Sequence, residues 1–596
     1  MKVFEANISH RVSDFLNENL KRITSFEIAN KKMYAAFGIV HFFDSDEELE
    51  TLKEIISESL NVVAEPDRAE YGDFQTNAYL TNKVTFDLAS KIISPEIVVE
   101  PTCGKGNFII ASLKNFKTVE NIFGVEIYKP YVWESKFSII NFFLENPESN
   151  KPDISISHCS VFDFDFKQIA KEYFGKNILV IGNPPWVTNS KLGSLNSSNL
   201  PKKTNFKNHS GLDAMTGKGN FDIAEYITLT MLNTFQMMKG HLLLLVKNSV
   251  IKNIVFDQKE NKYRIASLEK HCIDSKKEFN VSVEASLFYC ELNSTPQFDC
   301  KEFDFYNNQN HYQKFGWLND KFVSNIDTYI HTKEIDGECP FVWRQGLKHD
   351  CSTVMELDRI NACPDNGWGY YVNGLNEEVK LEDGLVYGIL KSSDLKNTVI
   401  KQTRKFTIVT QKKVGQDTKY IKSEYPKTYQ YLIEHKANFD IRKSSIYNNK
   451  PPFSIFGIGD YSFKPFKVSI SGLYKTFHFT LVLPQGEKPV MLDDTCYFIG
   501  FDKIEFAAYS LILLNSNTTK QFLQSVTFAD AKRTFTKDIL MRINLLELAK
   551  TINKQHLETE LIRLNAIYNF NLNLCLWDNF INEMKPVNNG QLSVVI

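Results

Sequence analysis

The residues best suited to chemistry form the tetrapeptide Asn183-Pro184-Pro185-Trp186, which directly follows an apolar run over 178–182. The side-chain carbonyl of Asn183 and the backbone carbonyl of Pro184 could accept the two hydrogens of an aromatic amino group, such as that of adenine. This favours a pyramidal nitrogen whose lone pair points at a methyl group, and consecutive prolines preorganise both acceptors. Trp186 could stack on a base rotated out of a duplex. The tetrapeptide thus predicts amino-group methylation, although a rigid turn that packs a tryptophan has the same composition.

A second candidate site is a glycine-rich turn upstream, where Glu100-Pro101-Thr102-Cys103-Gly104-Lys105-Gly106 follows a β-branched run over 97–99. Two glycines let the backbone turn sharply and approach a ligand closely. Ligands of open α/β sheets bind at the carboxyl ends of strands, where such a turn lies. Ordinary tight turns use the same glycines, so this turn alone is weak evidence for a cofactor site.

Acidic residues follow the next two predicted strands. Glu126 ends the second strand, about 20 residues after the glycine turn, which is the spacing that suits a ribose diol. Asp163 follows the third strand and could accept a hydrogen bond from an adenine amino group. A surface glutamate and a helix-capping aspartate would have the same local sequences. Because the three signals lie at the ends of three consecutive strands, together they predict a nucleoside cofactor.

The elements that must position these residues are short apolar runs separated by segments long enough for helices. This alternation predicts an α/β fold with a doubly wound, mainly parallel sheet. The predicted strands cover 97–99, 122–126, 154–157, 178–182, 242–246 and 287–290.

The chain divides into three predicted regions. Residues 1–65 are charged and have apolar residues at helical spacing, so they predict a helical arm that packs on the core or on a partner. The strand–helix pattern predicts a catalytic domain over 66–330. Tyr, Lys, Pro and short β-like runs, followed by amphipathic helices, predict a mixed α+β domain over 335–596.

Composition limits the functional classes. The 596 residues carry a formal net charge of −2, so any nucleic-acid surface must be local, and the stretch 401–480 suits one with 15 Lys and Arg against 5 Asp and Glu. Ten cysteines form no Cys-x-x-Cys pair and no cluster at zinc spacing, which predicts reduced cytosolic thiols and no metal site. The sequence contains no run of about 18 apolar residues, so no membrane span is predicted.

These motifs, in this order, resemble the gamma class of amino-methyltransferases of restriction–modification systems, in which cofactor motifs precede the catalytic motif and target recognition lies C-terminal. The resemblance implies a Rossmann-like methyltransferase fold, S-adenosylmethionine as the cofactor and methylation of adenine N6 in double-stranded DNA. Glu126 would contact the ribose and Asp163 the adenine of the cofactor. The residues implied to border the cofactor are Thr76, Glu100, Pro101, Cys103, Gly104, Gly106, Glu126, Asp163 and Asn183.

Three further segments carry the resemblance. The run 71–77 resembles the motif that covers the methionine end of the cofactor, but the family usually has Thr-Pro where this chain has Thr76-Asn77. The run 217–226 resembles the motif that follows the catalytic one. Phe279 resembles an aromatic residue that holds the flipped base opposite Trp186, although a core phenylalanine at a strand start would have the same local sequence.

DNA contacts are predicted in two places. The polar loop 187–218 contains Lys202 and Lys203 and is expected to face DNA, although a surface insertion would have the same composition. Lys412 and Lys413 suit phosphate contacts. Runs at 343–346, 442–445 and 532–533 resemble parts of the specificity domains of this class. No nuclease motif is evident, so any restriction endonuclease is expected on a separate chain.

Two alternatives keep the fold and change the acceptor, which could be the N4 amino group of cytosine or a glutamine side chain of a protein. Asn183 tilts the choice toward adenine without excluding cytosine. A second domain with a basic stretch disfavours a protein substrate. A non-catalytic DNA-binding protein would tolerate damage to the tetrapeptide or the glycine turn, and both are intact.

Overall fold

The chain folds into two compact units, Met1–Phe322 and Val323–Ile596. The computed structural model describes residues 8–58, 75–91, 93–187, 222–307, 313–360, 367–528 and 533–586. None of the helices in these ranges combines the length and the hydrophobicity that a membrane span requires. The same ranges contain no group of three or more His, Cys, Asp or Glu side chains arranged to hold a metal ion.

The first unit is built on a ten-stranded sheet in the order β10-β9-β8-β6-β7-β5-β4-β1-β2-β3. Strands β3, β2, β1, β4 and β5 are parallel, whereas β7 is antiparallel to both of its neighbours, β5 and β6. The strands are β1 (Ile97–Glu100), β2 (Asn121–Glu126), β3 (Asp153–His158), β4 (Ile178–Gly182), β5 (Gly240–Lys247), β6 (Ile265–Cys272), β7 (Ala285–Leu292), β8 (Asp299–Asp304), β9 (Gln313–Leu318) and β10 (Lys321–Val323). The predicted α/β sheet is confirmed.

Every residue of β1 and β4 is buried, because helices cover both faces of the parallel strands. The helices pack in two groups, one formed by α4, α5 and α6 and the other by α7, α8 and α9. The helices of this unit are α1 (His10–Leu20), α2 (Phe26–Phe37), α3 (Asp46–Glu58), α4 (Ala78–Ser90), α5 (Asn107–Asn115), α6 (Lys129–Glu145), α7 (Phe166–Glu172), α8 (Ile223–Phe235), α9 (Asn248–Asn261) and α10 (Ser275–Phe279).

The N-terminal helices pack on the edge of this sheet. The backbone N–H of Val40 donates to the carbonyl of Ile154 in β3 at 2.8 Å. The buried ammonium of Lys136, on α6, donates to the carbonyl of Phe42 at 2.8 Å, and burial lowers the pKa of this lysine to about 8. Arg11 pairs with Glu145 at 3.0 Å. In the structure these helices therefore belong to the first unit.

The second unit contains two smaller sheets, in the orders β11-β21-β18-β19-β16 and β14-β13-β12-β17-β15-β20, together with helices. This arrangement confirms the predicted mixed α+β domain. Its strands are β11 (Arg344–Gln345), β12 (Glu356–Arg359), β13 (Trp368–Asn373), β14 (Glu378–Glu382), β15 (Val386–Leu390), β16 (Val399–Ile400), β17 (Lys405–Ile408), β18 (Phe466–Ser471), β19 (Thr480–Val482), β20 (Met491–Leu492) and β21 (Cys496–Phe501). Its helices are α11 (Ile326–Ile330), α12 (Ser352–Met355), α13 (Tyr420–Glu424), α14 (Pro426–Glu434), α15 (Lys436–Asp440), α16 (Ile504–Leu514), α17 (Asn517–Val526), α18 (Lys537–Leu540), α19 (Leu545–Thr551), α20 (Lys554–Tyr568) and α21 (Trp577–Met584).

Candidate active site

A cleft of about 840 Å³, counting space open to solvent, lies at the carboxyl ends of β1, β2 and β4. Seven of the predicted cofactor residues line it, namely Thr76, Glu100, Pro101, Cys103, Gly104, Glu126 and Asn183. The described lining contains two glutamates and no lysine, arginine or histidine. The cleft therefore suits a cationic ligand.

The glycine turn packs tightly against its surroundings. Gly104 and Gly106 have φ angles of +51° and +81°, in the left-handed region that favours glycine. A Cβ atom on Gly104 would lie 2.6 Å from the side-chain oxygen of Gln75, and one on Gly106 would lie 2.5 Å from the hydroxyl of Ser135. Any other residue at either position would therefore strain the backbone and crowd the neighbouring side chain. Gly106 itself begins α5 and is not among the residues that line the cleft.

Two carboxylates of different character face the cleft. Glu126 accepts hydrogen bonds from the backbone N–H of Gly104 at 2.9 Å and of Tyr128 at 2.8 Å, which ties the end of β2 to the glycine turn. Glu100 is 2% exposed, and its Oε2 has no hydrogen-bond partner among the described residues. Burial, together with the charge of Glu126, raises the pKa of Glu100 well above its usual range, and the backbone N–H of Ile109 offsets only part of this. Glu100 is thus a buried acceptor suited to a positively charged or donating group.

Two residues of the tetrapeptide line the same cleft. Asn183 and Pro185 line it, and the side-chain N–H of Asn183 donates to the hydroxyl of Thr76 at 3.1 Å. The hydroxyl of Thr102 donates to the backbone carbonyl of Asn183 at 3.4 Å. Because β1 and β4 are adjacent and parallel, the glycine turn and the tetrapeptide lie side by side at the switch point of the sheet.

Asn77, which stands where the family usually has proline, has a structural role of its own. The side-chain oxygen of Asn77 accepts from the backbone N–H of Leu80 at 2.8 Å, so Asn77 caps the first turn of α4. A proline would begin a helix by a different means, through its fixed φ. The side chain of Asn77 also donates to Glu278 at 3.0 Å. Thr76 is therefore held at the start of the helix although the usual proline is replaced.

Trp186 and Phe279 lie next to each other, with ring centroids 5.1 Å apart and planes at 71°. Trp186 is buried, and its indole N–H donates to the backbone carbonyl of Leu245 at 3.2 Å. The resemblance implies that the two rings lie on opposite sides of a base, whereas in the structure they are in direct contact. A base held between two ring faces needs about 7 Å, twice a contact distance of about 3.5 Å. Stacking of a base between them would require the rings to separate.

Other predicted residues lie elsewhere. Asp163 is exposed in a turn after β3 and is not among the lining residues, whereas its neighbours Val161 and Phe162 are. Lys202 and Lys203 lie outside the described residues. Lys412 and Lys413 are exposed in the second unit. The roles of all these residues stay predictions.

Helix α8 forms a wall of the cleft, where Ile223 and Ile227 line it. The resemblance singled out the run 217–226, which contains Ile223, but not Ile227. The spacing of four residues along a helix is the local signal that could have found Ile227. The start of α8 is joined to the tetrapeptide, since the N–H of Ile223 donates to the carbonyl of Val187 at 2.9 Å.

An ion pair fixes this junction to the sheet. Lys247, at the end of β5, pairs with Asp222 at 2.5 Å, and Asp222 also caps α8 by accepting from the N–H of Ala224 at 3.0 Å. Their side chains are 16% and 11% exposed. Burial raises the pKa of Asp222, and the charge of Lys247 opposes the shift. This pair holds the start of α8, and through it Val187 at the end of the tetrapeptide, against β5.

We expect Lys247→Met to lower the free energy of unfolding by about 3 kcal/mol, because it leaves the carboxylate of Asp222 buried without its partner. Denaturant titration would measure the change. Lys259→Met is the matched control, since Lys259 pairs with Asp320 at the same 2.5 Å but the Asp320 side chain is 93% exposed. The control should lose much less stability, and equal losses would mean that burial does not set the value of these pairs.

No family model matches the sequence. Over 490 residues the chain is 39% identical to the Type II methyltransferase M.NspV of Nostoc sp., an alignment that covers 82% of this chain and 99% of that protein. Its fold is similar to that of the Type IIL restriction-modification enzyme MmeI, solved in complex with DNA, with a TM-score of 0.50 and 11% identity over 97% of this chain and 89% of that chain. The chain therefore belongs to the type II methyltransferases of restriction–modification systems.

Proposed function

We propose that the protein is a site-specific DNA methyltransferase of the gamma class, which transfers a methyl group from S-adenosylmethionine to the N6 amino group of an adenine flipped out of double-stranded DNA. One observation carries the proposal: Asn183 and Pro185 line the same cleft as the glycine turn and the acidic pair Glu100 and Glu126. An amino-group acceptor site and a site for a cationic nucleoside are thus contiguous.

The residues of the cleft fit S-adenosylmethionine, which carries an ammonium and a sulfonium charge. Glu100 offers a buried acceptor oxygen without a partner among the described residues, and the described lining contains no cationic side chain to oppose such a ligand. Glu126 would contact the ribose, in keeping with its position at the end of β2. Phe162 lines the cleft and packs edge-on against Tyr226 at 5.4 Å, so it would contact the adenine face of the ligand.

When bound, S-adenosylmethionine supplies an electrophilic methyl group. The contribution of the chain is to position and polarise the acceptor nitrogen. Thr76 restrains the side-chain amide of Asn183 through its 3.1 Å hydrogen bond, so that the carbonyl oxygen can accept from the amino group with little reorganisation. Pro184 would offer its backbone carbonyl to the second hydrogen. The apolar side chains Ile223 and Ile227 help to exclude water from the cleft.

Two acceptors other than adenine share this chemistry. Cytosine N4 is the closer alternative, because the same two carbonyls would polarise it. A protein glutamine is disfavoured by the second unit, whose exposed basic residues suit DNA, and by the fold shared with an enzyme solved in complex with DNA. A restriction endonuclease on a separate chain stays a prediction.

The direct test is incubation of the protein with labelled S-adenosylmethionine and unmethylated bacterial DNA, followed by nucleoside analysis. N6-methyladenine is the expected product. N4-methylcytosine would replace the adenine assignment while keeping the fold and the site. Label found only in protein would overturn the proposal of a DNA substrate.

We expect Trp186→Ala to weaken base flipping more than duplex binding, because Trp186 is the aromatic residue of the tetrapeptide. A fluorescent base analogue at the target position reports flipping, and fluorescence anisotropy reports binding. Trp317→Ala is the control, since Trp317 lies in β9 and packs against Phe256, at a centroid distance of 5.1 Å, rather than at the cleft. If both variants flip the base equally well, Trp186 does not stack on it.

A further inference from the structure

Lys105 is the charged residue of the glycine turn, but it is not among the described residues that line the cofactor cleft. Its backbone lies at the edge of the cleft, because its N–H donates to the side-chain oxygen of Gln75 at 3.3 Å. Both Gln75 and the neighbouring Gly104 line the cleft. The ammonium instead pairs with Glu134 of α6, with 3.1 Å between Nζ and Oε2. A cationic side chain that begins beside the cleft is thus held on a helix.

Two groups of α6 hold this ammonium. Besides pairing with Glu134, the Nζ of Lys105 lies over the ring of Tyr131, 5.1 Å from its centroid, and Tyr131 lines the cleft. Glu134 follows Tyr131 by three residues, so the carboxylate and the ring share one face of the helix. The turn itself packs on α6, since a Cβ atom on Gly106 would lie 2.5 Å from the hydroxyl of Ser135. The geometry of the turn and the helix therefore fixes where the ammonium lies.

The two members of the ion pair differ in burial. The side chain of Glu134 is 8% exposed and that of Lys105 is 28% exposed. The second oxygen of Glu134, Oε1, is buried and has no hydrogen-bond partner among the described residues. A buried carboxylate depends on its ion-pair partner for compensation. Lys105 has a long flexible stem and could reach water or the cleft if Glu134 were lost.

The position of Lys105 affects the charge that a ligand meets in the cleft. The described lining contributes Glu100 and Glu126 and no cationic side chain. S-adenosylmethionine carries a sulfonium charge, whereas S-adenosylhomocysteine, which remains after the methyl group has left, has a neutral sulfur and otherwise the same charges. A free ammonium at the cleft would repel the sulfonium and would affect the neutral sulfur much less.

We propose that Glu134 is a positioning residue that sets the preference of the cofactor site for S-adenosylmethionine over S-adenosylhomocysteine, by holding the ammonium of Lys105 out of the cleft. This inference deepens the proposed function and rests on it for the identity of the two ligands. Glu134 is not among the described lining residues, so it acts through Lys105 rather than by contact with either ligand.

The test measures the dissociation constants of both ligands for the full chain by isothermal titration calorimetry. Glu134→Met should weaken binding of S-adenosylmethionine by about three- to tenfold more than binding of S-adenosylhomocysteine, the effect expected of a unit charge several ångströms away in a partly solvated site. The difference should shrink at high salt, which screens a partly exposed ammonium. The variant should fold, because methionine fills the buried position and the freed lysine can reach water.

A second substitution separates positioning from structure. Lys105→Met added to Glu134→Met should restore the preference of the wild type, since it removes the freed ammonium. A merely structural role of Glu134 would weaken both ligands alike and would not be rescued in this way. Glu145→Met is the matched control, because it frees Arg11 from an ion pair of 3.0 Å at the C-terminal end of the same helix, away from the described lining. It should leave the preference unchanged.

Equal losses for the two ligands, or the absence of rescue, would overturn the role of Glu134 and leave S-adenosylmethionine as the cofactor. A gain in affinity for both ligands would mean that the freed ammonium binds the carboxylate they share, which also overturns it. If the wild type binds neither ligand, the proposed function fails together with this inference. If the preference shifts as expected although no N6-methyladenine forms, the role of Glu134 is confirmed and the adenine assignment is wrong.

Discussion

Asn183→Ala should lower the rate of methyl transfer by at least about 10²–10³-fold while it leaves the affinity for S-adenosylmethionine within a few fold. Removal of one preorganised polar group at the reacting centre typically costs this much. The side-chain oxygen of Asn183 is needed only when the amino nitrogen becomes pyramidal, so its loss affects the transition state more than ligand binding. Single-turnover transfer of labelled methyl groups, with a separate titration of the cofactor, would measure the two effects.

Asn107→Ala is the matched control for this prediction. Asn107 lines the same cleft, and its side-chain N–H donates to the backbone carbonyl of Thr76 at 2.7 Å. It therefore resembles Asn183 in residue type and in its neighbour, but it has no proposed contact with the acceptor base. The rate should fall far less than in Asn183→Ala. Comparable losses, or a loss of cofactor affinity in Asn183→Ala, would mean that Asn183 supports the cleft rather than the acceptor.

The sequence predicted those parts of the site that depend on neighbouring strands. Runs such as 178–182 are apolar throughout because parallel strands are buried on both faces, and this makes them visible without an alignment. Functional residues of a doubly wound sheet follow directly after such strands, so Glu126 and Asn183 could be placed at one edge from the order of the strands alone. Their presence in one cleft follows from the pairing of β1 with both β2 and β4.

What the sequence did not predict depends on irregular geometry or on contacts between distant residues. Strand β6 was missed because its register shifts between Ala266 and Glu269, which breaks the alternation of apolar residues. Asp163, predicted from its position after β3 to contact the cofactor, is exposed in a turn whose neighbouring residue Phe162 lines the cleft, and its role stays a prediction. The conformation of a turn is set by its own hydrogen bonds, which spacing does not reveal.

The pair formed by Lys247 and Asp222 illustrates the second limit. The two residues lie 25 positions apart, one at the end of a strand and the other at a helix start. Each has a common local explanation, as a strand-end lysine and as a helix-capping aspartate. Only the packing of α8 against β5 shows that they neutralise each other at the end of the tetrapeptide segment.

Glu100→Gln should weaken binding of S-adenosylmethionine by about 10- to 100-fold, because it removes a charged acceptor from a buried site. In the wild type the affinity should fall as the pH is lowered through the raised pKa of Glu100, since the protonated carboxyl no longer attracts a cation. The variant should lose this pH dependence. S-adenosylhomocysteine keeps the ammonium and lacks the sulfonium charge, so a loss of affinity for both ligands assigns Glu100 to the ammonium.

The same substitution should stabilise the protein in the absence of ligand. The pKa of Glu100 is raised in the folded state, so the folded state holds this proton more tightly than the unfolded state, and stability is lost as the pH rises from the usual value of 4.5 through the raised pKa. Glutamine mimics the protonated form, so Glu100→Gln should raise the melting temperature at neutral pH.

Glu302→Gln is the opposite case, because Glu302 is equally buried but pairs with Lys270, and it should destabilise the fold by about 3 kcal/mol. If Glu100→Gln also lowered the melting temperature, Glu100 would have a partner in the folded protein and would not be the vacant acceptor of the cofactor site.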